Sequence, residues 1–187
     1  LQAQEDYAAA RDAFERAREL GHTRALSALG TLEARAASIA GGAADIAAPD
    51  EALALWLEGV DRGDPYAYHS LGRQLLRFGE SDGEKRYGFE LLTRALELGH
   101  TFSMNELGYH FLREDTPDHE PRRGLRYLNE SAARGDIYGF HNLGLVYDQG
   151  LGGVEPDAEE ARRWYAAAAE GGHPHAPINL GRMYFQG

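Results

Sequence analysis

The chain has 187 residues, of which 43% are hydrophobic and 26% are charged, and this length and composition fit about one globular domain. Its 19 Lys and Arg against 30 Asp and Glu give a net charge of −11, which argues against binding to nucleic acid or to an anionic membrane. The absence of cysteine excludes disulfide scaffolds, thiolate zinc sites and cysteine nucleophiles. No segment approaches the roughly 20 apolar residues of a membrane span, so we expect no direct membrane insertion.

Two short sequence markers recur along the chain. The first is a glycine followed by His or Asp, and the second is a Leu-Gly pair 8 residues later. Successive Leu-Gly pairs are 42, 36, 36 and 37 residues apart. Because both markers stay in register through five occurrences, they predict an internal repeat. The marker glycines are Gly21, Gly63, Gly99, Gly135 and Gly172.

The spacing around each marker glycine predicts two helices per repeat. Small or apolar residues at positions 4, 5, 8, 9 and 12 after it fall on one helical face, which predicts a helix A. A small, large, small pattern at 11, 7 and 4 residues before it predicts a closely packed helix B that ends at the glycine. Such units bury their apolar faces only by stacking, so we predict an all-α solenoid with about ten helices.

In chain order, the prediction is one solenoid over residues 1–187. It begins with a half repeat containing only helix B and ends with a half repeat containing only helix A. The six extra residues of the first repeat are placed in Ala36 to Pro49, as either a loop or an extension of helix A. Because the last helix still carries large apolar residues, we expect the chain to be a fragment of a longer protein or to dock that helix on a partner. The predicted boundaries are 1–21, 22–63, 64–99, 100–135, 136–172 and 173–187.

The fourth complete repeat carries a family resemblance. The segment from Tyr147 to Asp157, followed by Ala161, Trp164, Tyr165, Ala168 and Gly172, resembles a Sel1-like repeat with one extra glycine in its turn. The resemblance implies a right-handed α/α superhelix related to tetratricopeptide repeats. It also implies a bacterial protein-binding adaptor.

No residue pattern favours catalysis or a cofactor. The glycines from Gly150 to Gly153 lack the preceding strand of a phosphate-binding loop, and no hydrolase or metalloprotease motif occurs. His22, His100 and His173 occupy equivalent positions after helix B, which predicts turn residues and not a cluster. His173 and His175 lack a third metal ligand nearby in sequence. The sequence therefore predicts a non-enzymatic protein with no metal and no cofactor.

The remaining candidate is the helix A face opposite the core, which the resemblance implies lines a concave groove. Aromatic and arginine side chains recur there, and both are enriched at binding hot spots. We predict binding of a protein that presents acidic and apolar groups; in the alternative interpretation, these side chains pack internally or against the next repeat. The candidate residues are Tyr66, His69, Arg73, Arg77, Phe102, Asn105, Tyr109, Arg113, Tyr138 and His141.

Four functional hypotheses remain open at this point. The first is a protein-interaction adaptor. The second, among proteins that this chain resembles, is a bacterial immunity protein that neutralises a type VI secretion effector such as a lipase. The third hypothesis is an enzyme domain, and the fourth is a purely structural spacer. The composition suggests a bacterial source, and we expect a periplasmic or envelope location with any signal segment outside this chain.

Overall fold

The computed structural model describes residues 2–42, 46–114 and 119–186, and within those ranges it contains ten α-helices and no strand. The chain forms two compact units, Leu1–His100 and Thr101–Gly187. The first unit contains α1 (Gln2–Glu19), α2 (Arg24–Gly41), α3 (Asp50–Asp61), α4 (Pro65–Phe78) and α5 (Asp82–Glu97). The second contains α6 (Ser103–Leu112), α7 (Pro121–Ala133), α8 (Ile137–Gln149), α9 (Ala158–Glu170) and α10 (Ala176–Gln186).

Neighbouring helices form A–B pairs within each unit. In the first unit α2 packs against α3 and α4 against α5, with α1 beside α2. In the second unit α6 packs against α7 and α8 against α9, with α10 beside α9. The large residue 7 positions before the marker glycine is buried in the core of four pairs, at Trp56, Leu92, Leu128 and Tyr165. The single solenoid and its repeat boundaries remain a prediction.

The segment from Ala36 to Pro49 begins as helix. Helix α2 continues to Gly41 and ends at Gly42, whose left-handed φ of 67° closes its last turn. Residues 43–45 lie outside the described part of the chain, and residues 46–49 adopt neither helix nor strand. At least part of the extra length in this repeat therefore extends helix A.

Each marker glycine ends a helix B through the same hydrogen-bond pattern. After α5, the Gly99 N–H donates to the Leu96 carbonyl at 3.0 Å and the His100 N–H donates to the Ala95 carbonyl at 2.9 Å. This pairing needs a residue with positive φ, which glycine adopts without steric cost. The corresponding φ angles are 84° at Gly21, 77° at Gly63, 90° at Gly99, 79° at Gly135 and 88° at Gly172.

The Leu-Gly pair marks the close crossing of helix A on helix B. Leu71 is buried in the core, and a Cβ added to Gly72 would lie 2.8 Å from the Gly88 carbonyl oxygen on α5. The reverse holds as well, since a Cβ on Gly88 would lie 2.7 Å from the Gly72 carbonyl oxygen. The two backbones are therefore in contact, and this contact explains why small residues recur at the same spacing along the chain.

The residue of α9 that corresponds to Gly88 is Ala161, and its packing leads to a prediction about stability. Ala161 is fully buried in a cluster with Tyr165 and Met183. We expect Ala161→Leu to lower the free energy of unfolding by about 1–3 kcal/mol, because the added carbons have no space between closely packed helices. Chemical denaturation followed by circular dichroism measures the change. A fully tolerated leucine would contradict this packing.

Candidate binding surface

The predicted surface residues lie along helix A in both units. In the first unit, Tyr66 is at the start of α4, while Arg73 and Arg77 are exposed further along the same helix. In the second unit, Tyr109 of α6 and Tyr138 of α8 are exposed. Phe102 and Arg113 flank α6 and are also exposed. Seven of the ten predicted residues thus reach the surface of their own unit.

Three aromatic rings form a cluster at the start of α4. The Tyr66 and His100 ring centroids are 4.7 Å apart in an edge-on arrangement, and those of His69 and His100 are 4.3 Å apart. On the other side, the Arg24 guanidinium carbon lies 3.9 Å from the centre of the Tyr66 ring. These contacts fix the orientation of Tyr66 while leaving 37% of its surface exposed.

The same three-ring cluster recurs at the start of α8. Tyr138 meets His173 edge-on at 4.8 Å, and His141 stacks on His173 at 4.1 Å. The Asn179 amide nitrogen lies 3.1 Å from His141 Nε2, which ties the cluster to α10. Half of the Tyr138 surface remains exposed. An exposed tyrosine in contact with a histidine pair, one member of which is buried, is therefore a repeated feature of this protein.

The residue equivalent to His69 and His141 in α6 is Asn105. It is buried, and its amide nitrogen donates to the Asp136 carboxylate, which also accepts a hydrogen bond from Ser131 Oγ at 3.0 Å. The other Asp136 oxygen accepts from the Tyr138 N–H at 3.0 Å and caps α8. Asn105 thus joins α6 to α8, and its assignment to an exposed face is corrected.

His69 and His141 also differ from the expected exposed face. Both are partly buried, and the ring of each packs against the histidine that follows the next marker glycine, tilted by 31° for His69 and stacked for His141. We predicted that His100 and His173 were isolated turn residues. They occupy the predicted turns, but the structure places each of them in a histidine pair. The contact was missed because the two partners lie 31 or 32 residues apart and belong to different repeats.

Burial keeps these histidines neutral. It lowers the pKa of His69 to about 3, with smaller effects from His100 and Arg73. Burial also lowers the pKa of His173 to about 4, with His141 and His175 acting in the same direction. In water an imidazolium cation is stabilised by hydration that a buried site does not supply, so the neutral form is favoured there. Burial lowers the pKa of His100 and His141 as well, so both histidine pairs are uncharged at neutral pH.

The described residues show neither a metal cluster nor a membrane span. Across residues 2–42, 46–114 and 119–186, no group of three His, Asp or Glu side chains is arranged to hold a metal ion. None of the helices in those ranges is both long enough and apolar enough to cross a membrane.

Comparison with solved structures supports the helical-repeat architecture. The crystal structure of a Sel1 repeat protein from Oxalobacter formigenes matches with a TM-score of 0.70 and 21% identity, over 93% of this chain and 66% of that one. The structure of c5321, a protective antigen of uropathogenic Escherichia coli strains displaying an SLR fold, matches with a TM-score of 0.64 and 23% identity. That match covers 94% of this chain and 36% of the antigen. At such identities the likeness shows the fold alone.

The chain thus spans about two thirds of one similar protein and about one third of the other. A search of curated proteins found no significant match. The predicted all-α helix-pair fold is confirmed by the ten described helices and by these structural neighbours.

The family assignment comes from the sequence of the repeats. The family model for the Sel1 repeat matches residues 65–100, 101–136 and 141–173, which together make up more than half of the chain. These matches confirm the resemblance of the segment from Tyr147 onwards. The chain belongs to the Sel1 repeat family.

Proposed function

We propose that this protein is a non-enzymatic interaction module that binds another protein through the exposed residues of helix A. Sel1 repeat proteins are generally protein-interaction scaffolds. The observation that carries the proposal is an oriented, exposed aromatic ring at the start of a helix A in each unit. Tyr66 contacts the buried His100 and Tyr138 contacts the buried His173, yet each tyrosine keeps a large part of its surface exposed.

Two physical arguments support this surface. A tyrosine that is already held in place loses little conformational entropy on binding, so more of its contact energy contributes to affinity. Arginines beside such rings attract carboxylates, although the protein as a whole is strongly acidic. The preferred partner is therefore a protein with acidic and apolar groups on the contacting surface.

Capture of the partner from native lysate tests this proposal. The variant Arg77→Glu with Tyr109→Ala removes one cation and one exposed ring from the helix A face. We expect it to lose the partner, because aromatic and arginine side chains carry much of the energy of protein interfaces. Mass spectrometry of the captured proteins, compared with wild type, measures the loss.

The chain offers a matched control on helix B. Arg86→Glu with Tyr87→Ala on α5 makes the same change in charge and removes another exposed ring. This variant should capture the partner normally. If both double variants capture every partner as well as wild type does, the helix A face is not the binding surface.

A narrower proposal is inhibition of a secreted bacterial effector such as a lipase. The closely packed helix pairs favour it, since an inhibitor needs only a pre-organised surface that occludes its target. Co-expression with a periplasm-directed candidate effector provides the test. Protection of the cells by wild type that is lost in the Arg73→Glu, Arg77→Glu double variant would support this role. Absence of protection against effectors encoded nearby would exclude it.

A further inference from the structure

A small cleft in the first unit lies between α2, the segment 46–49, α3 and α4. Its volume is about 250 Å³. Pockets that hold whole small-molecule ligands are typically larger, at roughly 300–1,000 Å³. The cleft therefore has room for one or two side chains of a partner. Its lining includes Arg35, Arg73 and Arg77 together with Ile46, Trp56 and Phe78.

The charge of the cleft is opposite to that of the protein. Three arginines line it and no Asp or Glu does, although acidic residues outnumber basic ones by 30 to 19 in the chain. Elsewhere in the first unit arginines pair with carboxylates, as Arg18 does with Glu58 at 2.6 Å and Arg62 does with the same residue. Arg35 and Arg73, by contrast, make no ion pair with any of the described residues.

The nearest acidic residue in the sequence of α2 is already engaged. Glu33 is buried, accepts a hydrogen bond from the Tyr7 hydroxyl at 2.6 Å and pairs with Arg11 at 3.5 Å. Its carboxylate is therefore held toward α1. Arg35, two residues further along the helix, borders the cleft instead.

Apolar surface lies beside these cations. Ile46, Ala48 and Phe78 border the cleft together with the indole of Trp56. The Trp56 N–H donates to the Ser27 carbonyl at 3.3 Å, so its polar group is satisfied within the protein and its ring contributes apolar wall. A ligand that fits both parts of the lining must carry a negative group next to an apolar one.

We propose that this cleft binds a carboxylate of the partner protein that has an apolar side chain next to it in sequence. Guanidinium groups bind carboxylates through paired, charge-assisted hydrogen bonds, and Arg35 and Arg73 both border this cleft. The inference rests on the proposed function and extends it to a specific contact. It assigns Arg35, which lies outside the predicted surface residues, to partner recognition.

The experiment selects ligands from random heptapeptides and reads binding at the cleft. One library has free carboxyl ends and the other has amidated ends. The protein carries Trp164→Phe, which leaves Trp56 as the one fluorescent tryptophan of the chain's two. This change removes an indole N–H that is buried without a hydrogen-bond partner, and phenylalanine keeps an aromatic ring beside Phe140.

We expect the selected peptides to place Asp, Glu or a free terminus beside an aliphatic or aromatic residue, and to change the emission of Trp56. Arg35→Glu should weaken their binding by roughly tenfold or more, since hydrogen bonds between charged groups contribute about 1.5–3 kcal/mol. Arg86→Glu, an exposed charge reversal on α5, should leave binding unchanged. Binding to the amidated library assigns the carboxylate to an acidic side chain, and binding only to the free-acid library assigns it to a chain terminus.

Three results would overturn the proposal: no peptide changes Trp56 emission, the selected peptides are not enriched in acidic groups, or Arg35→Glu binds them as wild type does. Partner capture that depends on Tyr109 and Arg77 but not on Arg35 would leave the proposed function standing without this contact. Peptide binding that depends on Arg35, together with partner capture that the helix A double variant does not change, would support the cleft contact and contradict binding through the helix A face.

Discussion

Replacing Gly72 by alanine is expected to lower the free energy of unfolding by about 1–3 kcal/mol, as overpacking between helices typically does. Alanine gains about 1 kcal/mol of helix propensity over glycine, so an isolated helix would be stabilised by this change. Here the new Cβ would lie 2.8 Å from the Gly88 carbonyl oxygen and 3.0 Å from the Leu92 backbone nitrogen. Because backbone atoms cannot rotate away as a side chain can, α4 and α5 must separate.

The last Leu-Gly pair supplies the control. Gly181 occupies the equivalent position in α10, but a Cβ there would meet no atom of the described residues within 4 Å. Gly181→Ala should therefore raise the free energy of unfolding by up to about 1 kcal/mol. Urea denaturation of both variants gives the comparison. Equal effects of the two substitutions would show that the close helix crossing does not explain the Leu-Gly marker.

Acid should destabilise the protein before its carboxylates titrate. The pKa of His69 is about 3 in the folded protein and 6.5 without the influence of burial, so below pH 6.5 the unfolded state gains a proton that the folded state does not. Stability is therefore fully present above pH 6.5 and is lost progressively as the pH falls toward 3. From pH 7 to pH 5 the loss from His69 is about 2 kcal/mol. His173, whose pKa is also lowered, acts in the same direction.

The measurement is the free energy of unfolding at pH 7, 6 and 5 for wild type and for His69→Gln. Glutamine carries no titratable group, so the variant should lose about 2 kcal/mol less than wild type over this range. His22→Gln, at an exposed histidine after the first helix B, is the matched histidine-to-glutamine control. A pH dependence that is the same in all three proteins would contradict the neutral, buried state of His69.

The regular parts of the fold were predictable from sequence because they depend on local geometry. A glycine at positive φ after helix B and a buried Leu71 in helix A are repeated chemical requirements, so they appear as repeated letters. The length of α2 was not predictable, because an alanine- and glycine-rich segment fits a helix or a loop equally well. The helix was found to continue to Gly41.

The binding surface was predicted less completely, and the reason is physical. Helical periodicity places Asn105 on the face opposite the helix core, but it does not show which neighbouring repeat covers that face. The amide nitrogen of Asn105 donates a hydrogen bond to the carboxylate of Asp136, a buried contact between residues 31 positions apart in sequence. The cleft beside Arg35 was missed for a related reason, since its lining comes from three helices and a connecting segment.

The most direct test of the proposed function is site-specific photocrosslinking in a native lysate. A photoreactive phenylalanine analogue replaces Tyr109 or Tyr138 on the helix A face, or Tyr87 on helix B as a control with comparable exposure. The proposal predicts that the two helix A positions crosslink the same partner, that excess unlabelled protein competes for it, and that Tyr87 does not crosslink it. Crosslinking of that partner at Tyr87 with none at Tyr109 and Tyr138 would contradict binding through helix A.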